Sequence, residues 1–337
     1  MCIRDRHYLA PAKNFGVKTF QAEDEIAAMC AAIGVGFAGQ LGVTGTSGPG
    51  LALKGEAMGL AVMTELPVVV VNVQRGGPST GLPTKTEQSD LWQAMYGRNG
   101  DCPAVVIAPQ SPGDCFNAAI EAARIALTRM MPVVLLTDGY IANGSEPWRV
   151  PKESDFEPIE IKHATYEPTG EKDDPGFAPY TRNENLTRPW GIPGNPGTEH
   201  RVGGLEKANG SGAVSYDPTN HQTMTRIRAE KVERVANMVP DIEVQGDEDA
   251  DLLVLGWGGP YGSILTAVNN IREQGKKVAC THLRYMNPMP SNLRAVLAKF
   301  DKVLIPELNN GQLRLILRGK YLCDARGLNK IQGKPFL

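Results

Sequence analysis

Three carboxylates stand together where a predicted strand gives way to a predicted helix, in the sequence Gln21-Ala22-Glu23-Asp24-Glu25. One interpretation is capping, because acidic side chains in a first helical turn interact favourably with the helix dipole. The other is chemical: one carboxylate faces a crevice, where it holds a proton or binds a ligand nitrogen. The residues alone leave both interpretations open.

A second candidate site is a glycine-rich turn between a predicted strand and a helix, running from Thr44 to Leu51. Glycines at such a place let backbone N–H groups approach a polar or anionic ligand. The spacing is neither that of a phosphate-binding P-loop nor that of a dinucleotide-binding fingerprint, so a nucleotide assignment is weak. A tight turn that merely packs remains the alternative.

A third candidate is the long loop after the very apolar residues 67–73. It reads Gln74-Arg75-Gly76-Gly77-Pro78-Ser79-Thr80-Gly81-Leu82-Pro83-Thr84 and is longer than a connection requires, which is typical of functional loops. Arg75 suits bidentate binding of a substrate carboxylate, although a solvated surface arginine is the competing interpretation. Asp138, at a fourth strand end, is as suited to capping the next segment as to binding.

Other sites are disfavoured by composition and spacing. The formal charge is −2 over 337 residues, so the chain has no excess of positive charge with which to bind nucleic acid or an acidic membrane. The five histidines show no metal-ligand spacing, so no metal is assigned to the chain, and no G-x-S-x-G hydrolase motif occurs. Without a membrane-spanning run or signal segment, and with dispersed thiols, the chain is expected to be cytoplasmic. The six thiols are Cys2, Cys30, Cys102, Cys115, Cys280 and Cys323.

The elements that would position these residues alternate between strands and helices, which predicts an α/β fold with a parallel sheet. Helices are predicted from Asp24, with an apolar stripe from Ile26 to Phe37, and after Ser111-Pro112. Ligands bind at the carboxyl ends of the strands in such sheets, where the four candidates lie. The predicted strands are residues 17–21, 41–46, 67–73, 104–108 and 132–137.

The remainder of the chain divides into an arm and a second α/β unit. Residues 141–240 are rich in proline, glycine and charge, and we interpret them as an irregular arm or linker that lies on a neighbour. Alternation resumes in residues 241–337, with predicted strands at 252–255, 277–281 and 303–306. Residues 7–140 form the first α/β domain, and residues 1–6 are interpreted as an artefactual start.

Several of these stretches resemble the alpha subunit of the 2-oxoacid:ferredoxin oxidoreductases, most closely the 2-oxoglutarate type, over nearly the whole of residues 15–335. The arginine-containing loop is the most specific match. The matching stretches are Phe20-Gln21-Ala22-Glu23-Asp24-Glu25-Ile26-Ala27-Ala28, Thr46-Ser47-Gly48-Pro49-Gly50-Leu51, Thr64-Glu65-Leu66-Pro67, Gln74 to Thr84 with Gln88 and Asp90-Leu91, and Pro306-Glu307-Leu308-Asn309-Asn310-Gly311-Gln312-Leu313.

The resemblance implies a thiamine diphosphate enzyme whose cofactor is shared between chains. This chain would supply the pyrimidine-binding domain and a smaller transketolase-C-like domain, and Glu25 would bind the ring nitrogen of the aminopyrimidine, shielded from water. The turn Thr46-Ser47-Gly48-Pro49-Gly50 would line the pyrimidine side, and Arg75 would hold the 2-oxoacid carboxylate.

The partners implied by the resemblance are a beta subunit that carries Mg²⁺ and a [4Fe-4S] cluster, ferredoxin, the 2-oxoacid, coenzyme A and a gamma domain or subunit. The implied reaction is oxidative decarboxylation of 2-oxoglutarate to succinyl-CoA with reduction of ferredoxin. Pyruvate or branched-chain 2-oxoacids, a non-catalytic assembly subunit and a thiamine-independent nucleotide-binding subunit remain alternatives.

One departure from the family pattern concerns the start of the chain. The family begins this domain with a strand and a Tyr-Pro-Ile-Thr-Pro loop, and no such loop precedes His7. We therefore expect the chain to be truncated at its N-terminus and slightly at its C-terminus.

Overall fold

The computed structural model describes residues 8–168, 176–247 and 249–337, and these contain two five-stranded sheets flanked by helices. Residues 1–6, which the sequence suggests are an artefactual start, lie outside the described residues. The fold class is the predicted one, α/β with largely parallel sheets.

The first sheet contains the strands β1 to β4, which are parallel to one another in the order β1-β2-β4-β3. Valines and leucines dominate β2 and β4, whose side chains are buried on both faces, as expected for central parallel strands. The bounds are β1 Gly42–Thr46, β2 Val68–Gln74, β3 Val105–Ile107 and β4 Pro132–Asp138.

Among the described residues, six α-helices accompany these strands and complete what we call the first unit. Met29 and Ile33 of α1 and Met58 of α3 pack in one apolar core with alternate residues of β2. The bounds are α1 Glu25–Phe37, α2 Gly48–Leu53, α3 Gly55–Thr64, α4 Leu91–Tyr96, α5 Asp114–Arg129 and α6 Gly139–Asn143.

The prediction of a strand at residues 17–21 is wrong. In the described part of the chain this stretch pairs with no strand, and the side chain of Phe20 is 74% exposed. β-branched residues favour a strand only where a neighbouring strand pairs with the backbone and the apolar side chains are buried. Residues 17–21 have neither, so no strand forms.

Residues 141–240 do not form a free linker, because much of this arm lies on the first unit at the ends of its helices. Trp190 Nε1 donates to the carbonyl of Gly36 at 3.0 Å, and Arg188 Nε donates to that of Thr64 at 3.1 Å. Both carbonyls lie in the last turns of α1 and α3, where i+4 helical donors run out. The Gly36 carbonyl also accepts from Gly39 N at 3.2 Å, and the arm adds a side-chain donor to each carbonyl.

The arm also contains a helix that the sequence reading missed, α7 (Pro218–Glu233). Asp217 caps it by accepting from the N–H of Asn220 at 2.6 Å, and a proline occupies its first turn. Lys231 on this helix is buried and pairs with Glu65 at 2.5 Å.

The second sheet has the order β10-β9-β6-β7-β5, in which β5 is antiparallel to β7 and the other strands are parallel. We call this sheet and its helices the second unit. The bounds are β5 Gln245–Gly246, β6 Leu252–Trp257, α8 Tyr261–Glu273, β7 Ala279–Leu283, α9 Leu293–Leu297, β9 Lys302–Glu307, α10 Gln312–Tyr321 and β10 Ala325–Asn329.

The two units are joined by a strand. β8 (Tyr285–Asn287) follows β7 in the chain but pairs antiparallel with β3, at the edge of the first sheet. One core of buried apolar side chains therefore includes residues of both sheets, among them Val106, Leu136, Leu255 and Met286.

Within the described ranges, none of the helices combines the length and the apolar character needed to cross a membrane.

Candidate cofactor and substrate site

The candidate residues collect at one edge of the first sheet. β1 ends at Thr46, β2 ends immediately before Arg75 and β4 ends at Asp138. Because these strands are parallel neighbours, their carboxyl ends meet at the edge where α/β proteins bind ligands.

The carboxylates at the start of α1 have separate contacts. Asp24 is the N-cap residue and accepts a hydrogen bond from the N–H of Ala27 at 2.8 Å. Glu25 is the first helical residue and is half-buried. Its main-chain carbonyl accepts a hydrogen bond from the buried amine of Lys54 at 2.9 Å. Asp24 is therefore the capping residue, and Glu25 lies in the first turn, where the helix dipole also favours a carboxylate.

The side chain of Glu25 lies against the glycine turn, by which we mean residues 46–50. A Cβ at Gly50 would come within 2.0 Å of Thr46 Oγ1, 2.7 Å of Glu25 Cγ and 3.1 Å of Glu25 Oε1. A glycine is therefore required for this close approach of turn and carboxylate. Pro49 lies in the first turn of the short helix that follows.

Arg75 reaches the same turn from β2. Its Nε donates to Ser47 Oγ at 3.2 Å, and its Nη1 donates to the carbonyl of Thr80. The arginine loop, residues 74–84, closes on itself through hydrogen bonds from Gly76 N to Lys85 O and from Leu82 N to Gly76 O, each 2.9 Å long. Arg75 is half-buried, so the loop presents a guanidinium group at the strand edge without enclosing it completely.

Asp90 is a further residue of this site to which the sequence reading assigned no role. Its carboxylate accepts from Asn72 Nδ2 at 2.9 Å and lies against Gly48, where a Cβ would come within 2.6 Å of Oδ1. Burial raises its pKa and the charge of Glu87 adds to this, whereas the Asn72 hydrogen bond and the charge of Arg75 oppose it. Its place in a matched stretch of the resemblance was the available signal.

Asp138 caps a helix and also connects the two units. Its Oδ1 accepts from the N–H groups of Tyr140 and Ile141 at the start of α6, at 2.8 and 3.1 Å. Its Oδ2 accepts from the N–H of Gly259 in the second unit at 3.0 Å. The capping interpretation is therefore realised, together with a contact between the units.

The metal-ligating residue types show no cluster in the part of the chain that the structure describes: no group of three or more His, Cys, Asp or Glu side chains could hold a metal ion. The described cysteines are free, namely Cys30, Cys102, Cys115, Cys280 and Cys323.

In sum, the structure brings Glu25, Thr46 and Gly50 into contact and joins Ser47 to Arg75 by a hydrogen bond. A half-buried carboxylate beside a glycine-lined turn can accept a hydrogen bond from a protonated ring nitrogen, and a guanidinium group can bind a carboxylate. This donor set fits the pyrimidine half of thiamine diphosphate and an anionic substrate.

Comparison with known proteins finds a matching family and similar curated proteins. Residues 6–215 match the family described as "Pyruvate flavodoxin/ferredoxin oxidoreductase, thiamine diP-bdg". The 2-oxoglutarate oxidoreductase subunit KorA of Mycobacterium tuberculosis is 57% identical over 98% of this chain, and the match spans 50% of that protein. The 2-oxoglutarate synthase subunit KorA of Methanothermobacter thermautotrophicus is 34% identical over 87% of this chain and 76% of its own length.

A solved structure is similar over nearly the whole chain. It is the 2-oxoglutarate:ferredoxin oxidoreductase from Magnetococcus marinus with 2-oxoglutarate, coenzyme A and succinyl-CoA bound. It has a TM-score of 0.90 and 35% identity, covering 98% of this chain and 57% of that one. The chain thus spans about half the length of the mycobacterial relative and somewhat more of the solved chain.

Proposed function

The chain belongs to the family of thiamine diphosphate-binding pyruvate flavodoxin/ferredoxin oxidoreductases, and from this premise we propose that it acts as the alpha subunit of a 2-oxoglutarate:ferredoxin oxidoreductase. The complete enzyme would convert 2-oxoglutarate and coenzyme A to succinyl-CoA and CO₂ while reducing ferredoxin. The observation that carries the proposal is the likeness to the Magnetococcus marinus enzyme, which was solved with 2-oxoglutarate, coenzyme A and succinyl-CoA bound.

The proposed cofactor contacts are those of Glu25 and the glycine turn. Thiamine diphosphate, when bound, supplies a carbon nucleophile and an electron sink for decarboxylation of a 2-oxoacid. Glu25 would form a hydrogen bond with a ring nitrogen of the aminopyrimidine, and Thr46, Ser47, Gly48, Pro49 and Gly50 would line the pyrimidine side. The contact between Gly50 and the Glu25 side chain supports this assignment.

The proposed substrate contact is Arg75. Its side chain is oriented by Ser47 and the Thr80 carbonyl, and its guanidinium group would bind a carboxylate of the 2-oxoacid. A carboxylate is common to every 2-oxoacid, so the preference for 2-oxoglutarate over pyruvate or branched-chain 2-oxoacids rests on the relatives.

The proposed partners follow from the subunit character of the relatives. A beta subunit would hold the Mg²⁺–diphosphate half of the cofactor and a [4Fe-4S] cluster, through which electrons reach ferredoxin. A gamma domain or subunit would complete the assembly. We assign the reaction to the cytoplasm, since the free cysteines of the described residues suit a reducing compartment.

The proposal is tested by co-expressing the chain with a beta subunit encoded beside it and following reduction of a viologen dye. Turnover that requires 2-oxoglutarate, coenzyme A and thiamine diphosphate together is expected. Faster turnover with pyruvate or a branched-chain 2-oxoacid would contradict the substrate assignment. A stable complex that neither binds thiamine diphosphate nor reduces the dye would contradict the function.

The same assay tests the substrate contact through Arg75→Ala. Loss of a charge-assisted hydrogen bond is expected to raise the KM for the 2-oxoacid about ten- to hundredfold. Arg75→Lys should recover part of the loss, because it keeps the charge but not the planar fork. Arg149→Ala, at an exposed position, is the control. An unchanged KM in Arg75→Ala would remove the substrate role.

A further inference from the structure

The segment of residues 86–93, which we call the bridging segment, faces the second unit on one side and the glycine turn on the other. It runs from the arginine loop into α4 and is largely buried. Gln88, fully buried near its middle, is given no role by the proposed function.

All four hydrogen-bonding groups of Gln88 contact the second unit. Its N–H donates to Leu308 O at 3.1 Å, and its Oε1 accepts from Leu308 N at 3.1 Å. Its Nε2 donates to Trp257 O at 2.7 Å, and its carbonyl accepts from Asn309 Nδ2 at 2.7 Å. One residue is thereby tied to the ends of β6 and β9.

Gln312 makes a second connection at the start of α10. Its Nε2 donates to Ser89 O at 2.7 Å and its Oε1 accepts from Trp92 N at 3.0 Å. The indole of Trp92 donates to the Gln312 carbonyl, also at 3.0 Å. The bridging segment is therefore held by the second unit at both sides of Asp90.

The opposite side of the bridging segment supports the glycine turn. The N–H of Asp90 donates to Gln74 Oε1 at 3.1 Å, and its carboxylate lies against Gly48. Gln93 Nε2 donates to the carbonyl of Gly48 at 3.2 Å. A displacement of the bridging segment would accordingly move the turn.

We propose that Gln88 is a positioning residue for the cofactor site, through which the second unit sets the position of the glycine turn by way of Asp90 and Gln93. The proposal deepens the proposed function and rests on it, because it assumes that the turn lines the pyrimidine. The second unit then acts on the chemistry from a distance: it carries none of the proposed cofactor-binding residues, yet it determines where one wall of their site lies.

The test uses two variants in the complex with the beta subunit. Gln88→Glu keeps the size of the side chain but places an oxygen where Nε2 faces the Trp257 carbonyl, so that hydrogen bond is lost and two acceptors oppose each other. Gln312→Ala removes the second connection, and Gln312 is only half-buried. This variant carries the test if Gln88→Glu fails to fold.

Two quantities are measured: the thiamine diphosphate concentration that half-saturates the complex, and the amide hydrogen exchange of residues 47–54. Each variant is expected to raise the half-saturating thiamine diphosphate concentration and to speed the amide exchange of residues 47–54, each by about tenfold. This is the order expected for one buried hydrogen bond. The kcat at saturating cofactor is expected to stay within about threefold of wild type, since neither residue meets the reacting atoms.

Two control variants separate positioning from general destabilisation. Thr281→Ala removes a buried hydrogen bond to Glu243 O within the second unit, and Gln274→Glu adds a charge at an exposed position of that unit. Both are expected to leave cofactor half-saturation and exchange of the turn unchanged.

Wild-type cofactor affinity and wild-type exchange of residues 47–54 in both bridging variants would overturn the proposal. If Gln88→Glu does not fold, the same result in Gln312→Ala alone would overturn it. A wild-type complex that binds no thiamine diphosphate would defeat the proposed function instead. Exchange of the turn would still decide whether the second unit positions it.

Discussion

At the scale of single residues, the start of α1 separates two carboxylate functions. Asp24 closes the helix by accepting from Ala27 N, and its neighbour Glu25 points to Gly50 and Thr46. The Lys54 amine binds the Glu25 main-chain carbonyl, so the position of that residue is fixed through its backbone, independently of what its carboxylate binds. The residue is thereby held without the use of its carboxylate.

Glu25→Gln is therefore expected to reduce turnover of the complex by about 10²–10⁴, the usual contribution of a positioned acid or base, while the melting temperature changes little. Turnover is measured with the dye assay and folding by thermal denaturation. Glu23→Gln, at an exposed position two residues earlier, is the matched control. Turnover of Glu25→Gln at the wild-type level would refute the assigned role.

Gly50→Ala tests the close approach in the turn. The added methyl group would overlap Thr46 Oγ1 and Glu25 Cγ, so the carboxylate and the turn have to separate. We expect a weaker affinity for thiamine diphosphate, measured by titration of the complex. Gly34→Ala in α1, where nothing lies within 4 Å of the new methyl group, should instead stabilise the fold by about 0.5–1 kcal/mol. Equal cofactor affinities in the two variants would contradict the contact.

At the scale of elements, the later part of the arm, from residue 180 onwards, meets the end of the first unit opposite the candidate site. Helices that follow parallel strands end near the strands' amino ends, where their free carbonyls carry negative partial charge. Arg188 binds the last carbonyl of α3, and Lys231 binds Met130 O just after α5 at 2.7 Å. Cations of the arm thus stabilise the helix ends, away from the glycine turn.

Glu65 carries the negative charge that pairs with two cations of the arm, Arg182 and Lys231. Its carboxylate binds Arg182 and Lys231 at 2.6 and 2.5 Å in a largely buried cluster. Burial alone would raise the pKa of Glu65, but the two cations outweigh burial and lower it from 4.5 to about 2. Glu65→Gln is expected to reduce the free energy of unfolding by about 3–5 kcal/mol, because two buried cations lose their partner. Exposed Glu233→Gln is the control in urea denaturation.

The lowered pKa of Glu65 also predicts a pH dependence. Between about pH 4.5 and 2 the unfolded chain takes up a proton that the folded carboxylate refuses, so its stabilisation is present above this window and is lost as pH falls through it. The stability difference between wild type and Glu65→Gln should therefore narrow on acidification. A difference that stays constant from about pH 6 to pH 3 would show that Glu65 does not titrate in this way.

The sequence predicts elements better than it predicts their neighbours. β2 and β4 are recognisable because central parallel strands are apolar on both faces, and α1 because Asp24 caps it. Residues 17–21 carry a strand-like composition, but pairing depends on a distant partner that local sequence does not specify. The α1 stripe fails in part for the same reason, since Ile26 is 48% exposed.

The candidate site was predictable to a similar extent. The glycine turn and Arg75 lie at strand ends, and parallel topology brings such positions together. Glu25 instead begins α1, after a stretch that forms no strand, so its place beside the turn follows from helix packing. The supporting contacts of Asp90 and Gln88 join residues that are 16 to 221 positions apart in sequence. Their roles follow from packing between units, which a pattern of residue types does not encode.

At the scale of the whole molecule, the two sheets are tied by β8, the bridging segment and Asp138. The Asp138 carboxylate caps α6 with Oδ1, which also accepts from Thr86 Oγ1 at 3.1 Å, and reaches Gly259 of the second unit with Oδ2. Because these contacts are shared, we expect the two units to unfold in one cooperative transition.

Asp138→Asn isolates the contact between the units. Asparagine caps a helix about as well as aspartate, so Oδ1 can keep its bonds to α6, but an amide nitrogen then faces the N–H of Gly259. One buried donor loses its acceptor, and the free energy of unfolding should fall by about 1–3 kcal/mol. Asp217→Asn makes the same exchange at the exposed N-cap of α7, which has no contact of this kind, and should lower the free energy of unfolding only slightly.

Both variants are measured by urea denaturation with probes in each unit. A loss in Asp138→Asn no greater than in Asp217→Asn would mean that Asp138 acts as a cap alone and that β8 and the bridging segment join the units without it.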